Sequence, residues 1–146
     1  RAFYIRGLIY SYRDNPGDLG LAEADFAEFV RRAPSEWAGY NDLSWVLLKQ
    51  EKYAQSREII KKALIAAPNA DNNPWLLNAL GVSELNLGLY NDAADAFRRA
   101  RNLAESLTIA DWEKSYPGND PATAIKGLSS FKEAISENLR LSETRL

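Results

Sequence analysis

The side chains that most often perform catalysis are scarce in this chain. It has no histidine and no cysteine, which removes the commonest general base, thiolate chemistry and zinc–thiolate sites. Carboxylates are plentiful, but none lies in an apolar run that would raise its pKa towards neutrality. Asp111, beside Trp112, comes nearest to a catalytic acid, and Asn119-Asp120 resembles a calcium loop without its remaining carboxylates. We therefore predict that the chain is not an enzyme and has no cofactor and no metal site.

The strongest signal in the sequence is an internal repeat with an offset of thirty-seven residues. Small, bulky and basic positions recur together at this offset: Leu43, Tyr53, Lys62 and Ala63 are matched by Leu80, Tyr90, Arg99 and Ala100. A repeat of this length with helical periodicity in both copies is typical of a solenoid. The sequence therefore predicts an all-α fold that presents surfaces to other molecules.

Apolar residues recur at helical spacing almost throughout, and proline, glycine and asparagine mark the breaks. These signals predict helices at about residues 2–13, 19–33, 36–49, 52–66, 74–87, 91–103 and 121–142, with the sixth able to continue to Lys114. Ser35 is expected to cap the third helix, and Asn73-Pro74 and Asp120-Pro121 are expected to start the fifth and the last. Gly88 is expected to supply a left-handed turn after the fifth helix, and Tyr116-Pro117-Gly118-Asn119 to break the chain before the last.

The two matched segments resemble tetratricopeptide repeats. That family's pattern is a bulky residue and Leu-Gly on a first helix, then alanines, an aromatic and a closing proline on a second. The better copy has Leu77, Leu80-Gly81, Gly88, Tyr90, Ala93, Phe97 and Ala100; the other has Tyr40, Leu43-Ser44, Leu47, Tyr53, Ser56, Ile60, Ala63 and Pro68. The resemblance implies a short right-handed α-solenoid of antiparallel helix hairpins: a degenerate repeat at 3–34, repeats at 37–70 and 74–107, and a capping helix at 120–142. In the degenerate repeat Ala22 and Phe26 fill the alanine and aromatic positions, but Phe29 occupies a position that is normally small.

In this family the first helices of successive hairpins line a concave groove that binds extended peptides or partner helices. The resemblance places nine residues of this chain in that groove: Asn41, Trp45, Leu48, Lys49, Trp75, Asn78, Val82, Leu85 and Asn86. Asn41 and Asn78 lie one repeat apart, and stacked asparagines can hold both the C=O and the N–H of an extended peptide. Trp45 and Trp75 would supply flat apolar anchors.

Plainer interpretations of the same residues stay open at this point. Trp45 could pack against the neighbouring hairpin, Trp75 could be a staple at a helix start, and the two asparagines could be exposed and idle. Trp112 and Tyr116 are expected to pack the C-terminal helix. Basic pairs such as Arg31-Arg32 and Lys61-Lys62 are expected to form ion pairs on an outward face. One subgroup of the family binds the acidic tails of chaperones through a clamp of Lys, Asn and Arg on the groove helices. In this chain the corresponding positions hold Gly7, Ser11, Asp42, Trp75 and Ala79, which disfavours that role.

Composition limits the class of partner. The chain has 146 residues, 46% of them hydrophobic and 26% charged, which is ordinary for one globular domain. A net charge of −2 gives no field that would gather nucleic acid, and no apolar run is long enough for direct membrane insertion. The absence of methionine leads us to expect a fragment of a longer or processed chain. We predict a module that binds a protein or peptide partner. The alternative is a self-associating scaffold segment of a larger protein, in which case the chain could form a homo-oligomer. The sequence does not indicate the localisation.

Overall fold

A computed structural model describes residues 1–13, 15–115 and 121–145, and these residues form helices and connections with no strand among them. The helices are α1 Ala2–Tyr12, α2 Asp18–Arg32, α3 Trp37–Lys49, α4 Tyr53–Ala66, α5 Pro74–Asn86, α6 Tyr90–Glu105, α7 Ile109–Ser115 and α8 Pro121–Thr144. A short 3₁₀ turn, Ala70–Asn72, lies between α4 and α5, in the loop where the repeat exceeds the usual length of about 34 residues. The predicted all-α fold is confirmed.

The helices stack as a short solenoid of hairpins. Each of α1 to α6 packs mainly on its neighbours in the chain, and α3 also contacts α5 because the first helices of successive hairpins lie side by side. The long helix α8 packs on α6 and reaches α5, so it covers the last hairpin as predicted for a capping helix. The repeat boundaries themselves stay a prediction.

Small residues allow the two helices of each hairpin to approach closely. A Cβ added to Gly81 would stand 2.6 Å from the ring of Phe97, and one added to Gly7 would stand 2.9 Å from Phe26. Gly7 therefore has the role in the first hairpin that Gly81 has in the third, although the sequence showed no Leu-Gly pair there. Phe29 is accommodated in its normally small position because Gly39 lies against its ring, where a Cβ would be at 2.6 Å.

A chain of buried hydroxyls joins the middle helices. The Oγ of Ser56 on α4 lies 2.8 Å from the Oγ of Ser44 on α3 and 2.8 Å from the Oγ of Ser83 on α5, and Ser83 donates to the carbonyl of Ala79. All three serines are fully buried. Because each hydroxyl has a partner, these polar groups occupy the tight helix contacts without an unsatisfied donor.

Several local expectations can be compared with the structure. The Oδ1 of Asn73 accepts hydrogen bonds from the backbone N–H groups of Trp75 and Leu76 at 3.0 and 3.1 Å, and Gly88 has a φ of +76°, so both of these predictions are confirmed. The prediction for Ser35 is wrong: Glu36 is the N-cap of α3, and no side chain caps that end. Helix α6 ends at Glu105, and Thr108 starts the separate helix α7 by bonding to Asp111. Residues 116–120, where a break and a cap were predicted, lie outside the described residues.

Two helices carry apolar residues that are only partly covered. On α1, Leu8 packs against the core, but Ile5, Ile9 and Tyr12 are 55%, 54% and 82% exposed. This side of α1 is therefore largely open among the described residues. On α8, Leu128, Ile135 and Leu139 are buried, whereas Ile125 is 65% exposed.

Candidate functional site

The nine predicted groove residues lie on two adjacent helices, α3 and α5, but they differ in accessibility. Lys49 and Asn86 are exposed, Trp45, Leu48, Val82 and Leu85 are half-buried, and Asn41, Trp75 and Asn78 are buried. Trp45 packs beside the core cluster between α4 and α5, while Val82 and Leu85 pack beside the cluster that contains Phe97. Asn86 donates from Nδ2 to the carbonyl of Val82 at 2.8 Å. Their role in binding stays a prediction.

Asn41 and Asn78 are buried amides, with 5% and 6% of their surface exposed. The Oδ1 atom of each is buried and has no hydrogen-bond partner among the described residues. An unsatisfied buried acceptor costs about 1–3 kcal/mol, so two of them at equivalent positions of successive repeats are unlike ordinary packing. The expectation that these side chains are exposed is wrong, and their role stays a prediction.

Trp75 belongs to an aromatic cluster and is not an open anchor. Its ring stacks on Trp37 at 5.4 Å between centroids and on Phe131 at 5.8 Å, and Trp112 lies 6.2 Å away. Trp112 also packs on the backbone of α8, where a Cβ on Gly127 would stand 2.9 Å from the indole. The cluster joins α3, α5, α7 and α8, so Trp75 anchors the C-terminal helices to the repeats. Trp75 is therefore only 8% exposed, and its role as a contact in the groove stays a prediction.

A hollow of about 770 Å³ opens beside this cluster, at the N-terminal ends of α3 and α5. Its walls come from α1, the end of α2, the starts of α3 and α5, and α7: Arg1, Tyr4, Phe29, Ala33, Glu36, Trp37, Ala38, Asn73, Trp75, Leu107, Asp111, Lys114 and Ser115. Only Trp75 of the nine predicted residues lines it. Sequence reasoning missed Trp37 and the α7 wall, although Trp112 follows Trp75 at the same thirty-seven-residue offset as the repeat.

The hollow combines aromatic walls with charges of both signs. Glu36 and Asp111 contribute carboxylates, and Arg1 and Lys114 contribute cations, with no ion pair for Arg1, Glu36 or Lys114 among the described residues. The backbone N–H and hydroxyl of Thr108 both donate to Asp111 at 2.9 Å and lower the pKa of its carboxyl. Asp111 is therefore exposed and ionised, which is the opposite of the raised pKa that a catalytic acid needs near neutrality.

A third carboxylate, on α3, links that helix to α1. The hydroxyl of Tyr4 donates to Asp42 at 2.6 Å across α1 and α3. Burial raises the pKa of Asp42, and the Tyr4 hydrogen bond offsets part of that rise. This contact positions the Tyr4 ring, which packs on Phe29 at 4.9 Å, as one wall of the hollow.

The described residues contain no group of three or more acidic side chains placed to hold a metal ion. Within the same residues, no helix is both long enough and apolar enough to cross a membrane.

Comparison with known proteins decides the fold. The structure is similar to the TPR2B domain of yeast Sti1, solved in complex with pHsp70, with a TM-score of 0.63 over 93% of this chain and 94% of that one. This chain has a TPR-like fold. The two sequences are only 16% identical, so the likeness concerns the TPR-like fold alone. No protein-family profile and no curated protein matches the sequence.

Proposed function

We propose that this TPR-like chain is a non-enzymatic protein-interaction module that binds an extended peptide, or an extended part of a partner protein, along α3 and α5. The hollow beside Trp37 and Trp75 receives one apolar side chain of the ligand, and Asn41 and Asn78 bind its backbone. The neighbouring fold in Sti1 was solved with a protein ligand, which supports a partner of this class.

The observation that carries this proposal is the pair of buried Oδ1 atoms without partners on Asn41 and Asn78. Each side-chain amide must turn so that its buried Oδ1 faces the ligand. The backbone N–H groups of an extended ligand would then satisfy both acceptors without regard to the ligand's sequence. Sequence preference then comes from the hollow, whose aromatic walls favour an apolar side chain and whose carboxylates and cations fix the orientation of neighbouring charges.

The ligand differs in charge from an acidic chaperone tail. A carboxylate clamp needs converging cations, whereas Asp42 and Trp75 occupy two of its positions here and carboxylates line the hollow. We therefore expect ligands of mixed or neutral charge, with a dissociation constant in the micromolar range, about −8 kcal/mol.

The test is selection of extended peptides from a displayed random library on the purified chain, followed by calorimetry with the best peptide. Asn41→Ala and Asn78→Ala should each weaken binding by about tenfold, the worth of one lost hydrogen bond. Both variants should melt close to the parent, since each removes a buried acceptor that has no partner in the free protein.

Surface variants check the location without disturbing the core. Glu36→Ala and Lys114→Ala lie at the hollow and are exposed, and Glu58→Ala and Lys62→Ala are exposed controls on α4, a second helix. Asn102→Ala on α6 is the control for the asparagines. Weaker binding in the first set with no change in the controls supports the site. Equal effects in both sets, or a library that yields no peptide, would overturn the proposal.

A further inference from the structure

The outer side of α1 carries an uncovered apolar stripe. Ala2, Ile5, Ile9 and Tyr12 lie on one side of the helix, opposite Gly7, which faces Phe26. The three large side chains are more than half exposed. Unlike the solitary Ile65 on α4, they form a continuous strip along the whole helix.

Equivalent sides of the other first helices are covered inside this protein. On α3, Gly39 and Val46 face α2, where they meet Phe29 and the cluster of Ala22 and Phe26. On α5, Ala79 packs with Ile60 and Ala63 of α4, and Ser83 bonds to Ser56. A helix is therefore the natural occupant of this side of a first helix. At the thirty-seven-residue offset of the repeat, the corresponding positions on α1 are Ala2, Ile5 and Ile9, and all three are exposed.

We infer that α1 is a dimerisation surface, on which α1 of a second copy of this chain packs antiparallel. The stripe is spaced by three, four and three residues and so reads the same in both directions. A two-fold axis through its centre places Ala2 opposite the partner's Tyr12, and Ile5 opposite the partner's Ile9. An isologous interface requires this self-complementarity, and it pairs a small residue with a large one at both ends.

Two of the arginines beside the stripe, Arg6 and Arg13, are compatible with a like surface, while Arg1 has no ion pair among the described residues. Arg6 pairs with Asp25 and Arg13 with Asp18, each with two hydrogen bonds of 2.7–2.9 Å, so neither guanidinium brings an uncompensated charge to the two-fold axis. Both carboxylates are buried and held by these arginines. A partner helix that recognised this surface by charge would need acidic residues beside its apolar stripe. Because Arg6 and Arg13 are already paired with carboxylates of this chain, they would attract such residues only weakly.

The size of the surface sets the strength of the association. Four residues of an 11-residue helix cover less than the roughly 800 Å² per partner of a standard stable interface. The dimer is accordingly weak and depends on concentration. This inference is independent of the binding site on α3 and α5, and Asn78→Ala should not change it.

Analytical ultracentrifugation of the whole chain, from low to high micromolar concentration, tests the dimer. The average mass should rise from 16.4 kDa towards twice that value. Ile5→Asp and Ile9→Asp should each weaken dimerisation by about tenfold or more, because a buried isoleucine is replaced by a charge. Ile65→Asp is the matched control, since Ile65 is an isolated isoleucine that is 89% exposed. A parent that stays monomeric, or a dimer that survives both α1 changes, overturns the inference.

Cross-linking tests the direction of packing. The chain has no cysteine, so Ala2→Cys and Tyr12→Cys introduce unique thiols on the exposed stripe. With a short bismaleimide, a mixture of the two variants should give a cross-linked heterodimer, and neither variant alone should cross-link efficiently. Cross-linking of each variant with itself would show parallel helices and refute the antiparallel arrangement. A heterodimer that also forms with Ile9→Asp in both variants would show that cross-linking does not depend on the stripe.

Discussion

Substitution of Gly81 by alanine tests the close helix contact on which the repeat packing depends. The added Cβ would stand 2.6–2.8 Å from three atoms of the Phe97 ring, closer than real contacts allow. Phe97 is fully buried among Leu77, Ala100 and Ile135, so the ring has no space into which it can withdraw. Overpacking of this kind costs about 1–3 kcal/mol. Alanine regains up to about 1 kcal/mol in helix propensity, which leaves a net loss of up to about 2 kcal/mol.

Gly20→Ala is the matched control within the same protein. Gly20 lies in α2, and a Cβ there would meet nothing within 4 Å. The same chemical change should therefore stabilise the protein by about 0.5–1 kcal/mol, through helix propensity alone.

Urea unfolding followed by circular dichroism at the helix band measures both variants. For a chain of this size, a change of about 1 kcal/mol in the free energy of unfolding also shifts the melting temperature by roughly 3 °C. The stabilities of the two variants should therefore change in opposite directions, by amounts that are readily measured. If Gly81→Ala were as stable as Gly20→Ala, the tight contact between α5 and α6 would be wrong.

Three further changes test separate parts of the structure. Asn73→Ala removes the side-chain cap of α5 and should cost about 1 kcal/mol in chemical denaturation, most of which Asn73→Ser should restore; no loss would contradict the cap. Burial raises the pKa of Glu84 above its ordinary 4.5 although Arg57 lies 3.1 Å away, so the ionised form of Glu84 weakens folding. As the pH rises from about 4.5, the parent should therefore lose stability relative to Glu84→Gln. A relative gain by the parent would contradict this burial. Trp112→Ala should cost about 2 kcal/mol and expose the amides of α7 to hydrogen exchange while those of α4 stay protected; unchanged protection of α7 would show that Trp112 does not hold it.

The repeat pattern predicted the fold because each of its positions has a local physical reason. Gly81, Ser44 and Ala100 mark places where helices approach closely, and the periodicity of large residues identifies the sides that face each other. The Asn73-Pro74 start of α5 is equally local, since the side chain caps N–H groups two and three positions later. Such features can be predicted from short stretches of sequence.

The rest depends on contacts between distant segments. Phe29 fits its position only because Gly39, on the next helix, leaves room for the ring. Trp75 is covered because Trp112 and Phe131 return to it from α7 and α8, which lie beyond the repeats. The exposure of Ile5 and Ile9 depends on which helices lie beside α1. The sequence pattern of an apolar stripe is the same whether the stripe is buried or exposed. Periodicity therefore located the candidate groove helices, but the accessibility of their side chains came from tertiary packing.

The central proposal, recognition of an extended ligand along α3 and α5, is tested most directly by NMR with a library-selected peptide. Amide and side-chain shifts should concentrate at Ala38, the side-chain amides of Asn41 and Asn78, and Asp111, and the asparagine side-chain signals should move most. Saturable shifts at these positions, which need about tenfold more peptide in Asn41→Ala and in Asn78→Ala, would support the account. Shifts confined to the outward faces of α4 and α6, with both asparagine side chains unmoved, would contradict it.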